Sequence, residues 1–233
     1  MTRVTAIVPA AGRGRRMATK LAKPYLMLNG KPILVHTLQV LENISLIEEI
    51  IVVVSTSDKP ACQRKIIDKY SFKKVKDVVE GGTSRTQSVY NGLKKVDPRC
   101  KLVLIHDGIR PFITEQTVKQ LVKQADIFGA AISAVPAICT IKEINRDMFV
   151  RTTLSRDRLW MVQTPQVFKR ELIYRAYQKA DHNRTVAVDD AVLVERIGHK
   201  VKVIRGETDN IKITTPEDLF LAEAILKRRG RGR

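Results

Sequence analysis

Arg13, Arg15, Arg16, Lys20 and Lys23 crowd into and just beyond a small-residue turn, Ala10-Ala11-Gly12-Arg13-Gly14, which itself follows the branched apolar run Thr5–Val8. Residues of this kind in this order suit a polyphosphate. Ala10, Ala11, Gly12 and Gly14 carry so little side chain that the backbone can approach an anion closely and aim several N–H groups at it. Guanidinium groups grip phosphate oxygens in pairs, and an ammonium acts as a compact point charge. Pro9 cannot donate the next ladder bond, so the chain leaves its strand where the turn begins.

Two familiar phosphate loops are excluded. A dinucleotide fingerprint needs a third glycine where Arg15-Arg16-Met17 stands, and a Walker A loop needs a terminal GKS or GKT that is absent. What remains is a close-approach backbone followed by Arg16 and then by Lys23, on an extension stiffened by Pro24.

Further polar groups sit at the ends of later strands. Lys76–Glu80 runs into Gly81-Gly82-Thr83-Ser84, where Thr83 or Ser84 is expected to cap a helix over Arg85–Val96 that carries Ser88. Lys101–His106 runs into Asp107-Gly108-Ile109-Arg110, and Val201–Arg205 is followed by Asp209 and Lys212. A carboxylate beside a polyphosphate orients Mg²⁺, directly or through water, so Asp107 and Asp209 are the expected metal-proximal groups. His106 invites acid/base chemistry, and a structural strand-end histidine is the plainer alternative. With no G-x-S-x-G and no cysteine placed against a histidine, the set is cations plus one or two carboxylates. That suits phosphoryl or nucleotidyl transfer by positioning and charge stabilisation.

The elements that must position these groups read as alternating strands and helices. Helical spacing is expected over Pro32–Leu41, Lys59–Tyr70, Glu171–Lys179, Asp189–Ile197 and Glu217–Arg228, and Glu49–Ser55 has the composition of a strand buried on both faces. This is an α/β pattern with an open, mostly parallel sheet, whose site lies along the carboxyl edge of the strands. From Ala130 to Phe149 the period changes to alternating branched and polar residues around Pro136 and Asn145-Arg146-Asp147, which predicts extended strands and a turn. Such a projection, about residues 136–157, is expected to serve as a dimerisation arm.

Bulk properties narrow the classes. The 233 residues suit a single domain, residues 1–233, and no apolar run approaches the length of a membrane span. The start at Met1 leads straight into a strand, so a cytoplasmic location is expected, or a plastid stroma for a processed form. Cys62, Cys100 and Cys139 read as reduced thiols. The net charge of +18 raises nucleic acid as a partner, and five of the seven residues of the tail 227–233 are basic, yet +13 remains without them. Aromatic residues are only 5%, and no stacking or finger motif is present, so a basic RNA- or membrane-binding protein is the rival class and not the expected one.

Six blocks carry a resemblance that spans nearly the whole chain. PAAGRGRRM at Pro9–Met17, Lys23-Pro24-Tyr25-Leu26, GGTSRTQSV at Gly81–Val89, HDGIRP at His106–Pro111, QTPQVF at Gln163–Phe168 and DNIKITTPEDL at Asp209–Leu219 are together similar to the 2-C-methyl-D-erythritol 4-phosphate cytidylyltransferase family. The resemblance implies a Rossmann-like homodimer that joins CTP to a sugar-alcohol phosphate, methylerythritol phosphate, and releases pyrophosphate. It implies that Arg16 and Lys23 act at the CTP phosphates, and that Arg156 and Lys212 position the methylerythritol phosphate. Ala10, Ala11, Gly12, Gly82, Thr83 and Ser88 match its cytidine positions. Asp107, Arg110, Thr140 and Thr164 match its sugar-phosphate pocket, Thr140 and Arg156 lying on the arm. A ribitol 5-phosphate cytidylyltransferase is the nearest alternative. A hexose-1-phosphate nucleotidyltransferase would share only the first loop.

Overall fold

The computed structural model describes residues 3–12, 22–182 and 185–230. Strand β1 (Val4–Pro9) leads into the first loop, and a small ribbon, β2 (Met27–Leu28) with β3 (Lys31–Pro32), leads into helix α1 (Ile33–Asn43). Then follow β4 (Ile47–Val54), α2 (Lys59–Cys62) continuing as a π-helical turn over Gln63–Asp68, β5 (Val75–Glu80), α3 (Arg85–Leu93) and β6 (Leu102–Ile105). The second half comprises α4 (Glu115–Phe128), β7 (Ala130–Pro136), the hairpin β8 (Lys142–Ile144) and β9 (Val150–Thr153), β10 (Trp160–Lys169), α5 (Arg170–His182), α6 (Ala191–Arg196), β11 (Lys202–Arg205) and α7 (Pro216–Gly230).

Seven strands form one sheet in the order β11-β7-β10-β6-β1-β4-β5. Every pairing is parallel except those of β10, which runs antiparallel between β6 and β7. Side chains of a strand alternate between faces, and the central strands therefore feed two cores. Val4, Ala6 and Val8 of β1, with Ile50, Val52 and Val54 of β4, pack beside Leu34 and Leu38 of α1 and Val118 and Leu121 of α4. Ile7, Ile51 and Val53 point the other way, against Val89 and Leu93 of α3 and Ile173 and Tyr177 of α5. Helices thus cover both faces, the Rossmann-like arrangement expected. A third, smaller cluster seats α7 through Ala222 and Ile225 on Leu28, Ile33 and Phe112.

Two elements depart from the pattern reading. Nothing is assigned between Pro111 and Ala130, where the structure has α4, capped by Thr114 and closed by Gly129 at φ +86°. Its Thr117, Val118, Leu121, Val122 and Ala125 are buried at helical spacing. The second is β10. Pro165 reads as a break, yet the strand runs through it, with a cis Thr164–Pro165 peptide and an irregular register between Val162 and Gln166. A proline is admissible inside a sheet at such an irregularity, because no ladder donor is required there.

The hairpin β8–β9 forms its own two-stranded sheet, and its residues are exposed. Asn145 Oδ1 accepts from the N–H groups of Asp147 and Phe149 at 3.1 and 2.8 Å, which closes the expected turn. Among the described residues no helix is long and apolar enough to cross a membrane.

Candidate active site

The carboxyl ends of β1, β4, β5 and β6 open into one cleft of about 1270 Å³. Pro9 to Gly12 line it from β1, Gly81 to Arg85 from β5, and Asp107 and Ile109 from β6. Lys23 and Pro24 close one side, and Lys212 and Thr214 another. The loops meet closely: a side chain at Gly81 would lie 2.7 Å from Ala11 Cβ and 2.9 Å from Ser88 Oγ. That contact explains a glycine at the β5 end better than any turn requirement. Of the two expected caps for α3, Ser84 serves, accepting from Gln87 N at 3.0 Å. Ser88 Oγ accepts from Gly82 N at 3.1 Å and donates to Ser84 O at 2.8 Å, so the first turn of α3 and the glycine pair are held as one unit.

Asp107 is the centre of the charge arrangement. Lys212 Nζ lies 2.9 Å from its carboxylate, Arg85 3.3 Å and Arg110 Nε 3.5 Å. Burial alone would push its carboxyl up; Arg85, Lys212 and Arg110 outweigh that and hold it well below the usual carboxylate range. Arg85 is itself gripped by both oxygens of buried Asp190 at 2.9 and 2.8 Å, and Tyr177 donates to the same carboxylate. Three cations against two carboxylates leave a surplus positive charge in a partly desolvated place, which is what a phosphate ligand needs.

The strand end behind Asp107 is fixed by a hydrogen-bonded relay. Asp107 N–H donates to Thr164 Oγ1 at 3.0 Å, and that hydroxyl lies 3.0 Å from His106 Nδ1. His106 Nε2 lies 2.9 Å from the carbonyl of Arg110, which can only accept, so Nε2 carries the proton and Nδ1 accepts from Thr164. His106 is fully buried, and burial pushes its pKa down to about 4. The neutral ring is thus a strut and not an acid/base group at neutral pH. Arg110 Nη1 donates to Asn210 O at 2.8 Å, tying this strand end to the segment that carries Lys212.

Lys23 is buried, and its Nζ donates to the carbonyl of Thr214 at 2.6 Å. Of the expected site residues, the cleft therefore collects Ala10, Ala11, Gly12, Lys23, Gly82, Thr83, Ser88, Asp107 and Lys212, with Arg110 and Thr164 directly behind Asp107. Arg16 and Gly14 lie outside the described residues. Thr140 and Arg156 stand on the exposed arm, where Arg156 donates to Ile138 O at 2.8 Å.

The two carboxylates expected near Mg²⁺ have different surroundings. Asp209 is drawn away from the cleft to pair with Arg228 and, at 3.6 Å, Arg229 on α7. Asp107 is enclosed by three cations, and among the described residues no cluster of His, Cys, Asp and Glu could hold a metal ion.

Arg85, Asp190 and the stretch Ser55–Ser57 are not singled out by the sequence reading. Arg85 stands at the positive end of a helix, against the dipole, and that mismatch was the available signal. Asp190 is far along the chain, and only the fold brings it to Arg85. Ser55, Thr56 and Ser57, at the end of β4, line the cleft between the two glycine loops.

Comparison with known proteins decides the family. A sequence model described as 2-C-methyl-D-erythritol 4-phosphate cytidylyltransferase matches residues 4–228. The chain belongs to this cytidylyltransferase family. Proteins of that name from Alkaliphilus metalliredigens and Syntrophus aciditrophicus are 49% and 48% identical to it, over 99% and 97% of this chain and 96% and 97% of theirs. A solved 4-diphosphocytidyl-2C-methyl-D-erythritol synthase from Anaerococcus prevotii superposes with a TM-score of 0.86 at 37% identity, covering 97% of each chain. A 2-C-methyl-D-erythritol 4-phosphate cytidylyltransferase from Thermus thermophilus gives 0.79 at 30%, covering 97% of this chain and all of that one. The cytidylyltransferase family is one of nucleotidyl-transferring enzymes, and in this member the cleft just described brings together both glycine-containing loops, Lys23 and Lys212.

Proposed function

We propose that this cleft binds CTP and 2-C-methyl-D-erythritol 4-phosphate and joins them as 4-diphosphocytidyl-2-C-methyl-D-erythritol, with release of pyrophosphate. The observation that carries the reading is the placement of Lys23 and Lys212, from opposite ends of the chain, on one cleft floored by Ala10–Gly12, Gly81–Thr83 and Asp107. A phosphate monoester is largely dianionic at neutral pH, its second pKa being about 6, so the attacking oxygen needs no general base. That oxygen forms a new bond to the α-phosphorus as the bond from α-phosphorus to the bridging oxygen breaks, and pyrophosphate leaves with the electron pair. The chain's task is to bring two anions together and hold them in line, which takes fixed cations and little else.

In this reading Ala10, Ala11, Gly12, Gly82, Thr83 and Ser88 receive the cytidine end. Lys23, with Arg16, meets the triphosphate, and Lys212 meets the sugar phosphate beside Asp107, Arg110 and Thr164. Thr140 and Arg156 are supplied by the arm of a second copy, since within one chain they stand apart from the cleft. Mg²⁺ enters as the CTP complex, held by phosphate oxygens and water in place of a protein cage. The location is taken to be the cytoplasm.

The test is pyrophosphate release by the purified chain with Mg²⁺ and CTP, given methylerythritol phosphate in one arm and ribitol 5-phosphate in the other. Release is expected in the first. Release only in the second would move the assignment to the ribitol enzyme, and release in neither would sink the reading.

A further inference from the structure

Lys23 and Lys212 are long, flexible side chains, and their worth to catalysis depends on what holds them still. Both are governed by the same irregular segment, residues 212–215, which belongs to no strand or helix. Its anchor is in the first turn of α7. Asp218 Oδ2 accepts three hydrogen bonds from the segment: from Thr214 N at 2.7 Å, Thr214 Oγ1 at 2.8 Å and Thr215 N at 2.9 Å. In return Asp218 N donates to Thr215 Oγ1 at 3.4 Å, which completes a reciprocal capping box. The clamped residue is the one that matters. The Thr214 carbonyl accepts from Lys23 Nζ, and Lys212, two residues earlier, reaches Asp107.

We propose that Asp218 is a positioning residue for the transfer step, fixing the Thr214 carbonyl that holds Lys23 and the segment that carries Lys212. The proposal rests on the roles given above to those two lysines. An ordinary helix cap would act on stability alone. This one ties the start of α7 to two cations of the cleft, and so acts on turnover as well. Bonds to the charged carboxylate are stronger than bonds to a neutral acceptor, so the negative charge of Asp218 is part of the function. Burial raises its pKa, and the bonds from Thr214 and Thr215 more than reverse that, keeping it ionised at neutral pH.

The test is a double-mutant cycle on kcat for pyrophosphate release, using the full-length chain. Asp218→Ala is expected to lower kcat about tenfold or more in the parent, because small misplacements at a reacting centre are costly. In a Lys23→Ala background the same change is expected to cost clearly less than in the parent, because one of the two lysines it positions is gone and only the part acting through Lys212 remains. Ala224→Gly, at an exposed interior site of α7, lowers the melting temperature without touching the clamp and is expected to leave kcat unchanged. Asp218→Asn keeps an acceptor oxygen without the charge, falls between parent and Asp218→Ala, and carries the cycle if the alanine variant does not fold. Equal fold-losses of kcat in both backgrounds, or unchanged turnover in the position-218 variant, overturn the proposal while the functional reading stands. A parent that releases no pyrophosphate overturns both.

Discussion

The cleft and the arm solve the problem of presenting charge in opposite ways. In the cleft, Arg85, Arg110 and Lys212 converge on one buried carboxylate, and each is further constrained by Asp190, by the Asn210 carbonyl or by the segment clamped at Asp218. Those side chains surrender their conformational freedom on folding, so little remains to be ordered when an anionic ligand arrives. On the arm, Arg156 is exposed and donates to the Ile138 carbonyl, and Met148, Phe149 and Ile138 of the same projection are 75, 71 and 68% exposed. A solvated hairpin with that much apolar surface cannot position a guanidinium by itself. The cleft is preorganised by its own chain, whereas the arm of the single chain leaves its apolar side chains in solvent.

The largest expected effect separates the two directly. Lys23→Ala in the cleft and Arg156→Ala on the arm should each lower kcat about 10²-fold or more, the usual loss when a preorganised charge-stabilising group is removed. If the arm completes the cleft of a second copy, the two inactive variants rescue each other when co-refolded. A mixed dimer has one site with both lesions and one with neither, so an equal mixture should recover about a quarter of parental turnover. No recovery, with mixed dimers present, would return Arg156 to its own chain and erase the contrast.

Stability should respond at the cleft and not at the arm. Asp107→Asn leaves Arg85, Arg110 and Lys212 facing each other. Removing one partner of a buried charge cluster costs about 3–5 kcal/mol, and the lower end is expected, because Arg85 keeps Asp190 and Lys212 is 39% exposed. Urea unfolding at neutral pH measures it. A smaller, pH-dependent effect comes from His106. Its pKa is about 4 when folded against about 6.5 unfolded, so between those values the unfolded chain binds more protons, and stability falls as pH drops. The expected loss is about 2 kcal/mol between pH 7 and pH 5, and it should vanish in His106→Gln. Asp107 acts lower still: its folded pKa is depressed, so its contribution is complete above about pH 4 and is lost only as pH falls further.

The same contrast explains what could be read from the chain alone. Strand ends announce themselves locally, because an apolar run followed by glycine or a polar turn residue needs no partner to be recognised. Ala10–Gly12, Gly81-Gly82 and Asp107 were legible for that reason. Long-range electrostatic partners were not. Asp107 and Asp209 look alike in sequence, each a carboxylate after an apolar strand, and only the fold shows that cations of the cleft enclose one while Arg228 and Arg229 draw the other away. Arg85 carries one local signal, a cation at the start of a helix, but the partner that explains it, Asp190, lies far along the chain. Helix α4 escaped because its buried stripe includes Thr117 and Ala125 and is thin in large apolar residues. β10 escaped because Pro165 normally forbids an interior strand, and the irregularity that admits it is a property of the sheet.

The finest test of the contrast concerns the arm's apolar surface. Phe149 is 71% exposed in the single chain, so Phe149→Ser removes almost nothing that folding buries, and urea unfolding of the dilute monomer should be unchanged. Burying a phenyl side chain against a second copy stabilises by about 1.5–3 kcal/mol, so the dimer dissociation constant should rise about tenfold or more. Sedimentation across a concentration series reads that shift, and kcat per dimer should hold at saturating protein, because Phe149 carries no charge to the cleft. A dissociation constant that does not move would mean that the arm does not pack through this face. Mutual rescue by the Lys23 and Arg156 variants would then have to come from a different contact.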